Sequence, residues 1–187
     1  MTLGKTFKTE GIILKRSNFG EADRILTVFT KHFGKISILA KGIRRTTSRK
    51  GGNLELFNQV VIFAAKGKNL DIVTEVEVIN SFKDWRVDLK KVAAAYQLCE
   101  LVDKLSAEGV ENNEVYDLLV NSFTNLSPIT NYQSLVTNFE LSLLQSLGFW
   151  PRGRPVGNTN LDLYIEDLIN RKLKAKNFFN QVSVSQS

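Results

Sequence analysis

The chain has 187 residues and a mass of 21.1 kDa, with 43% hydrophobic residues, three prolines and a net charge of +6 from 25 Lys and Arg against 19 Asp and Glu. That balance excludes a disordered polypeptide, which needs low hydrophobicity and high charge density, and the length suffices for one domain or two small ones with a real core. One cysteine (Cys99) and one histidine (His32) exclude a disulfide within the chain and a four-ligand Cys/His zinc site.

Met1-Thr2-Leu3-Gly4-Lys5 leads into polar residues, unlike the apolar run of a secretory signal. No stretch approaches the ~20 apolar residues of a membrane span, so a soluble, cytoplasmic protein is expected. Glu10–Arg16 reads as a first strand, with Ile12 and Leu14 on one face and Ile13 on the other, and Asn18-Phe19-Gly20-Glu21 as a turn. Arg24–Thr30, rich in β-branched and aromatic residues, is the second strand, and His32-Phe33-Gly34-Lys35 turns the chain into a third, Ile36–Ala40. A polar segment, 41–53, follows. Gln59–Ala65 is the fourth strand, and Leu70–Ile79 the fifth, with Ile72, Thr74, Val76 and Val78 alternating against Val73, Glu75 and Glu77. Five strands in about eighty residues, with no helix between them, predict a small antiparallel barrel, the size of an OB-fold. An SH3-like barrel fits the same pattern.

Beyond residue 82 the period changes. Ser81 or Asp84 is placed to cap a helix with Val92, Ala95, Tyr96, Cys99, Val102 and Leu105 on one face, ended by Gly109. Cys99 lies in this stripe and is expected in the core, not paired with His32. Asn112 or Asn113 can cap a second helix, with Val115, Leu118, Leu119, Phe123 and Leu126 inward and Pro128 blocking its continuation. A third runs from about Asn131 to Leu147, with Gly148 at its C-cap. A fourth starts near Asn160 and carries Leu161, Tyr164, Ile165, Leu168 and Leu173, and the polar tail after Phe179 is expected to fray. The expected architecture is α+β and segregated: a five-stranded barrel in residues 1–82, then an all-helical domain in 83–187.

Charge is unevenly spread. Residues 1–52 hold 12 Lys and Arg against 3 Asp and Glu, whereas residues 83–147 hold 5 against 9. The densest run, 41–52, contains Lys41, Arg44, Arg45, Arg49 and Lys50, no acid, and flanking glycines that suggest mobility. A charge run is commonly just a solvated loop. Here it joins barrel strands, and Lys15, Arg16, Arg24 and Lys35 lie on or beside those strands, which points to a phosphate-binding surface. Such a surface binds with little sequence preference and weakens steeply with salt. Phe19 and Phe33, both read as turn residues, are the candidates for base stacking.

No catalytic pattern accompanies this patch. Gly34-Lys35-Ile36 lacks the rest of a phosphate loop, and no GxGxxG or GxSxG occurs. Glu21 and Asp23 are the only acidic pair near the basic strands, read as turn residues that pair with Arg24. No enzyme, metal or cofactor is expected.

The run Glu10-Gly11-Ile12-Ile13-Leu14-Lys15, Gly20-Glu21-Ala22-Asp23-Arg24, Gly34-Lys35, Ala40-Lys41-Gly42-Ile43-Arg44-Arg45, Ser48-Arg49 resembles the N-terminal domain of the RecO family of bacterial DNA-repair proteins. Residues 138–151 (Asn138 to Pro151) are similar to the family's helix that leads into its zinc-binding segment. The resemblance implies an OB-fold followed by a helical domain. It also implies a non-enzymatic recombination mediator that binds single- and double-stranded DNA and anneals complementary strands. Such a protein works with RecR and the acidic tail of the single-stranded-DNA-binding protein in loading recombinase. One departure is clear: Phe149–Asn160 holds no Cys or His, so the family's four-cysteine zinc motif is missing there. Residues 168–179 look like the family's last helix, which implies that the zinc segment is trimmed.

The rival reading is a protein–protein adaptor whose basic barrel binds an acidic tail, with Trp85, Arg86, Trp150 and Arg152 as a candidate pocket. RNA binding is a third reading, which a charge-only surface does not separate from DNA binding.

Overall fold

The computed structural model describes residues 6–46, 48, 51–128 and 131–175. Five strands, β1 (Thr6–Phe19), β2 (Asp23–Thr30), β3 (Gly34–Ala40), β4 (Gln59–Ala65) and β5 (Asp71–Asn80), close into a barrel in the order β1-β2-β3-β5-β4. All neighbours are antiparallel except β3 and β5, which pair in parallel at Ile38–Asp71 and Leu39–Ile72. This closed, mixed five-stranded order is that of an OB-fold, and it closes the choice that strand pattern alone left open. The interior is aliphatic: Ile13, Leu26, Val28, Ile38, Val60, Ile62 and Val73 are buried together.

β1 outruns its predicted bounds at both ends because it serves two partners. Its first half pairs with β4 and its second half with β2. Asn18 and Phe19, read as turn residues, are strand residues opposite Arg24 and Asp23. The register shifts between Ile13 and Lys15, so Leu14 is a bulge and Ile12, Ile13 and Leu14 are buried in succession. A second shift, in β5 opposite Phe63 and Ala64, leaves Thr74 out of the ladder, with its hydroxyl donating to the Phe63 carbonyl (3.0 Å). The bulge resets the inward phase, so Val73, not Ile72 or Thr74, fills the core.

Four α-helices follow: α1 (Leu89–Leu105), α2 (Asn113–Asn125), α3 (Tyr132–Ser146) and α4 (Leu161–Ile169). Neither predicted cap starts α1. A short 3-10 turn at Lys83–Trp85 intervenes, and Asp88 accepts from the Lys90 and Lys91 amides. Tyr96 is 39% exposed, whereas Ala93, Ala94, Leu98 and Leu101 are buried, so the inward face of α1 is broader than the stripe read from spacing. Asn112, Asn131 and Asn160 cap α2, α3 and α4 through their Oδ1 atoms. Gly148, at φ +80°, terminates α3 as expected. α4 stops at Asn170 in the left-handed region, so the predicted last helix is broken before Leu173. The chain restarts where the Glu100 carboxylate accepts from the Lys174 and Ala175 amides.

The chain forms two compact units, and the division is not a single cut. Residues 107–116 belong with the barrel in residues 1–81, and residues 82–106 and 117–187 form the helical unit. In the helical unit, Trp85 donates from Nε1 to the Phe123 carbonyl (2.9 Å) and packs with Phe82 and Phe123. Among the described residues, no helix is long and apolar enough to cross a membrane.

Candidate nucleic-acid interface

The segment after β3 is fastened at its start, through Gly42 and Arg44, and beyond its end, through Phe57 and Asn58. Asp23 Oδ1 accepts from the Gly42 amide (2.7 Å), the Arg44 amide donates to the Ala22 carbonyl (2.9 Å), and Arg44 Nη1 reaches the Gly20 carbonyl (3.3 Å). Ile43 is buried in the barrel core, as is Leu54. At its far end, the Phe57 amide donates to the Ile13 carbonyl and the Ile13 amide to the Asn58 carbonyl, at the β1 bulge. Asp23 is therefore a loop clamp, not the partner of Arg24. Arg24 Nε instead donates to Asn18 Oδ1 (3.2 Å).

This clamp sorts the nine candidate cations. Lys41, Arg44 and Arg45 are exposed on a segment fastened to the β1–β2 turn. Arg49 and Lys50 lie outside the described residues. Cross-strand partners point to the same side of a sheet. Lys15 stands opposite Thr27, and Thr27 opposite Ser37, on the outer face of β1–β2–β3. Arg16 stands opposite Leu26 and Arg24 opposite Ala40, both core residues, so these two arginines share the interior parity at the barrel's end. Arg16 is further committed to Glu55, with Nη1 at 2.6 Å from Oε2. Lys35 is on the outer face opposite Phe29, which is fully buried. Of the seven described cations, Lys15, Lys41, Arg44 and Arg45 are the exposed set.

The aromatic candidates separate too. Phe19 is 50% exposed at the end of β1, beside the turn that holds Arg44. Phe33 is 43% exposed at the β2–β3 turn, the opposite end of β2, and packs edge-on to Phe7 at 5.2 Å. Only Phe19 shares the loop cations' end.

Sequence reasoning missed two features. One is a row of half-exposed hydroxyls, Thr27 and Ser37 with exposed Ser17, on the outer face beside Lys15; strand alternation alone could have found them. The other is the segment 107–116. The Gly109 amide donates to the Lys35 carbonyl (2.8 Å), and Glu108 bridges Lys35 in parallel. Tyr116 donates its hydroxyl to Glu10 Oε1 (2.6 Å) and accepts from Gln59 Nε2 (3.2 Å), which also reaches Glu10 (2.8 Å). Ile12 is the register partner of both Phe29 and Gln59, so this segment reaches the outer face around buried Ile12 and Phe29. Nothing local announces it, because its partners are far away in sequence.

Among the described residues, Cys99 and His32 do not meet as a pair. Cys99 is buried in α1, and burial with the nearby Asp103 carboxylate pushes its thiol far up from its ordinary value. His32 is exposed, with Nδ1 3.8 Å from Glu111 Oε1. Among the described residues, no group of three or more His, Cys, Asp or Glu could hold a metal ion. The candidate tail pocket is also not built as expected. Trp85 and Trp150 are 1% and 3% exposed, and Trp150 donates to the Arg154 carbonyl (3.1 Å) and packs edge-on to Tyr164. Both indoles are core anchors.

Residues 1–82 match the family model described as Recombination protein O N terminal, and residues 86–154 match Recombination protein O C terminal. The chain is 36% identical over 148 residues to the DNA repair protein RecO of Roseiflexus sp., covering 79% of this chain and 52% of that protein. It is 36% identical over 163 residues to that of Dehalococcoides mccartyi, covering 87% and 64%, and 38% identical over 151 residues to that of Acetivibrio thermocellus, covering 77% and 58%. It thus spans between half and two thirds of the length of these relatives.

Proposed function

The chain belongs to the RecO family, and from that membership we propose that it is a cytoplasmic, non-enzymatic recombination mediator in DNA repair whose barrel binds DNA without reading sequence. In this reading Lys41, Arg44 and Arg45 hold backbone phosphates at the β1–β2 end. Lys15 extends the path along the outer face, and Phe19 offers a ring to an unstacked base. Neutralising the phosphates of single- and double-stranded DNA lowers the repulsion between complementary strands, and base pairing then supplies the specificity of annealing. Assistance in loading recombinase, and contacts with RecR and the acidic tail of the single-stranded-DNA-binding protein, complete the proposal.

The observation that carries it is the clamp from Asp23 to Gly42 and from Arg44 to Ala22, which orders three exposed cations that a free loop would scatter. Preorganised charge costs less entropy on binding than charge that must first be collected. The test is fluorescence anisotropy of a labelled single-stranded oligonucleotide across a salt series. Wild-type binding should weaken linearly in log salt. With three to five phosphates neutralised, the slope should be about −2 to −3.5. Lys41→Glu/Arg44→Glu/Arg45→Glu should abolish most of the affinity with an unchanged melting curve. Retained affinity in that variant overturns the assignment.

A further inference from the structure

The segment 107–116 carries three glutamates and no Lys or Arg, yet it docks on the most basic part of the chain. Its docking rests on a backbone hydrogen bond, a close backbone approach and a tyrosine hydroxyl. The Gly109 amide bonds the Lys35 carbonyl, and Val110 passes so close to Gly34 that a Cβ there would lie 1.9 Å from its carbonyl oxygen. Glu108 sits beside Lys35, Glu111 lies 3.8 Å from His32, and both carboxylates are exposed. Tyr116 pins the far end through Glu10 and Gln59.

We infer that this strap is a built-in anionic stop on the DNA face. It occupies the half of the β1–β2–β3 face next to the β2–β3 turn, and it confines a bound strand to the half with Lys15, Thr27, Ser37 and the loop cations. The inference rests on the DNA-binding reading above. A strap held by the Gly109–Lys35 backbone hydrogen bond, the close approach of Val110 to Gly34 and the Tyr116 hydroxyl is not a lid that a strand brushes aside. Its carboxylates repel phosphates within a Debye length, roughly 10 Å at 0.1 M salt. It thereby limits how many nucleotides the barrel engages and fixes which end of the face a strand uses.

The test neutralises the strap without disturbing its backbone. Full-length Glu108→Gln/Glu111→Gln is titrated against single-stranded oligonucleotides of increasing length at several salt concentrations. Glu75→Gln/Glu77→Gln on β5 is the control with the same change in net charge. The strap variant should bind about 3- to 10-fold more tightly at low salt, with a gain that shrinks as salt rises and a steeper salt slope from added phosphate contacts. The control should gain less than about twofold, and both variants should melt as the wild type does, since the four side chains are exposed. Unchanged affinity in the strap variant, or an equal gain in the control, overturns the stop while leaving DNA binding intact. Absence of wild-type binding at low salt overturns the DNA-binding reading itself, and the stop with it.

Discussion

Glu10 takes two hydrogen bonds on one oxygen, from Tyr116 and Gln59, at a part-buried site. Removing the phenolic hydroxyl leaves the carboxylate short of a donor, so Tyr116→Phe should lower stability by about 1.5–3 kcal/mol in urea unfolding. Gly34 is a stricter case. At φ +61° and with Val110 in the way, Gly34→Ala should cost at least about 2 kcal/mol and expose the strap to protease. Cys99 gives a pH-dependent expectation. Its folded thiol titrates above its unfolded one, so its contribution to stability is present below about pH 8.5 and fades as pH climbs past the unfolded value. Native protein should resist alkylation at pH 8, and protein in denaturant should react at once. The burial of Cys99 and the asparagine caps were legible, because each follows from neighbours within four residues. Asp88 was not, since an unsignalled 3-10 turn moves the start of α1 away from Ser81 and Asp84.

At the level of elements, all five strands and four helices were visible in the period of their apolar residues. The misplacements are informative. β1 extends beyond its apolar run because a barrel strand that bends between two neighbours is defined by pairing, and its outer thirds are polar. The Leu14 and Thr74 bulges each shift alternation by one residue, which no period-2 reading anticipates. The anchors of the segment after β3 were not legible, because they are one apolar residue, Ile43, and one backbone group, the Gly42 amide. The clamp itself can be tested by comparing Asp23→Ala with Asp23→Asn. Both remove a charge, but only Asn keeps an acceptor for the Gly42 amide. If ordering matters, the alanine variant should bind oligonucleotide about 2- to 10-fold more weakly than the asparagine variant, the equivalent of one hydrogen bond.

For the whole chain, net charge conceals a basic barrel sequence followed by an acidic stretch in residues 83–147, and the strap is where that acidic stretch belongs to the barrel unit. A composition reading locates both excesses and misses the crossing, because contacts between distant segments leave no local period. A fragment ending at residue 82 would lack the strap and leave Glu10 and Gln59 without Tyr116. It should melt below the intact chain, and adding Glu10→Gln should cost the fragment less than it costs the full protein. Discontinuity also has a consequence in time. Tyr116 meets a residue 106 positions earlier, so during synthesis the barrel emerges, then all of α1, before the piece that finishes the barrel unit exists. At about 5–20 residues per second, the nascent barrel spends seconds with its outer face bare, and that interval is when the newborn chain is most open to capture by other strands.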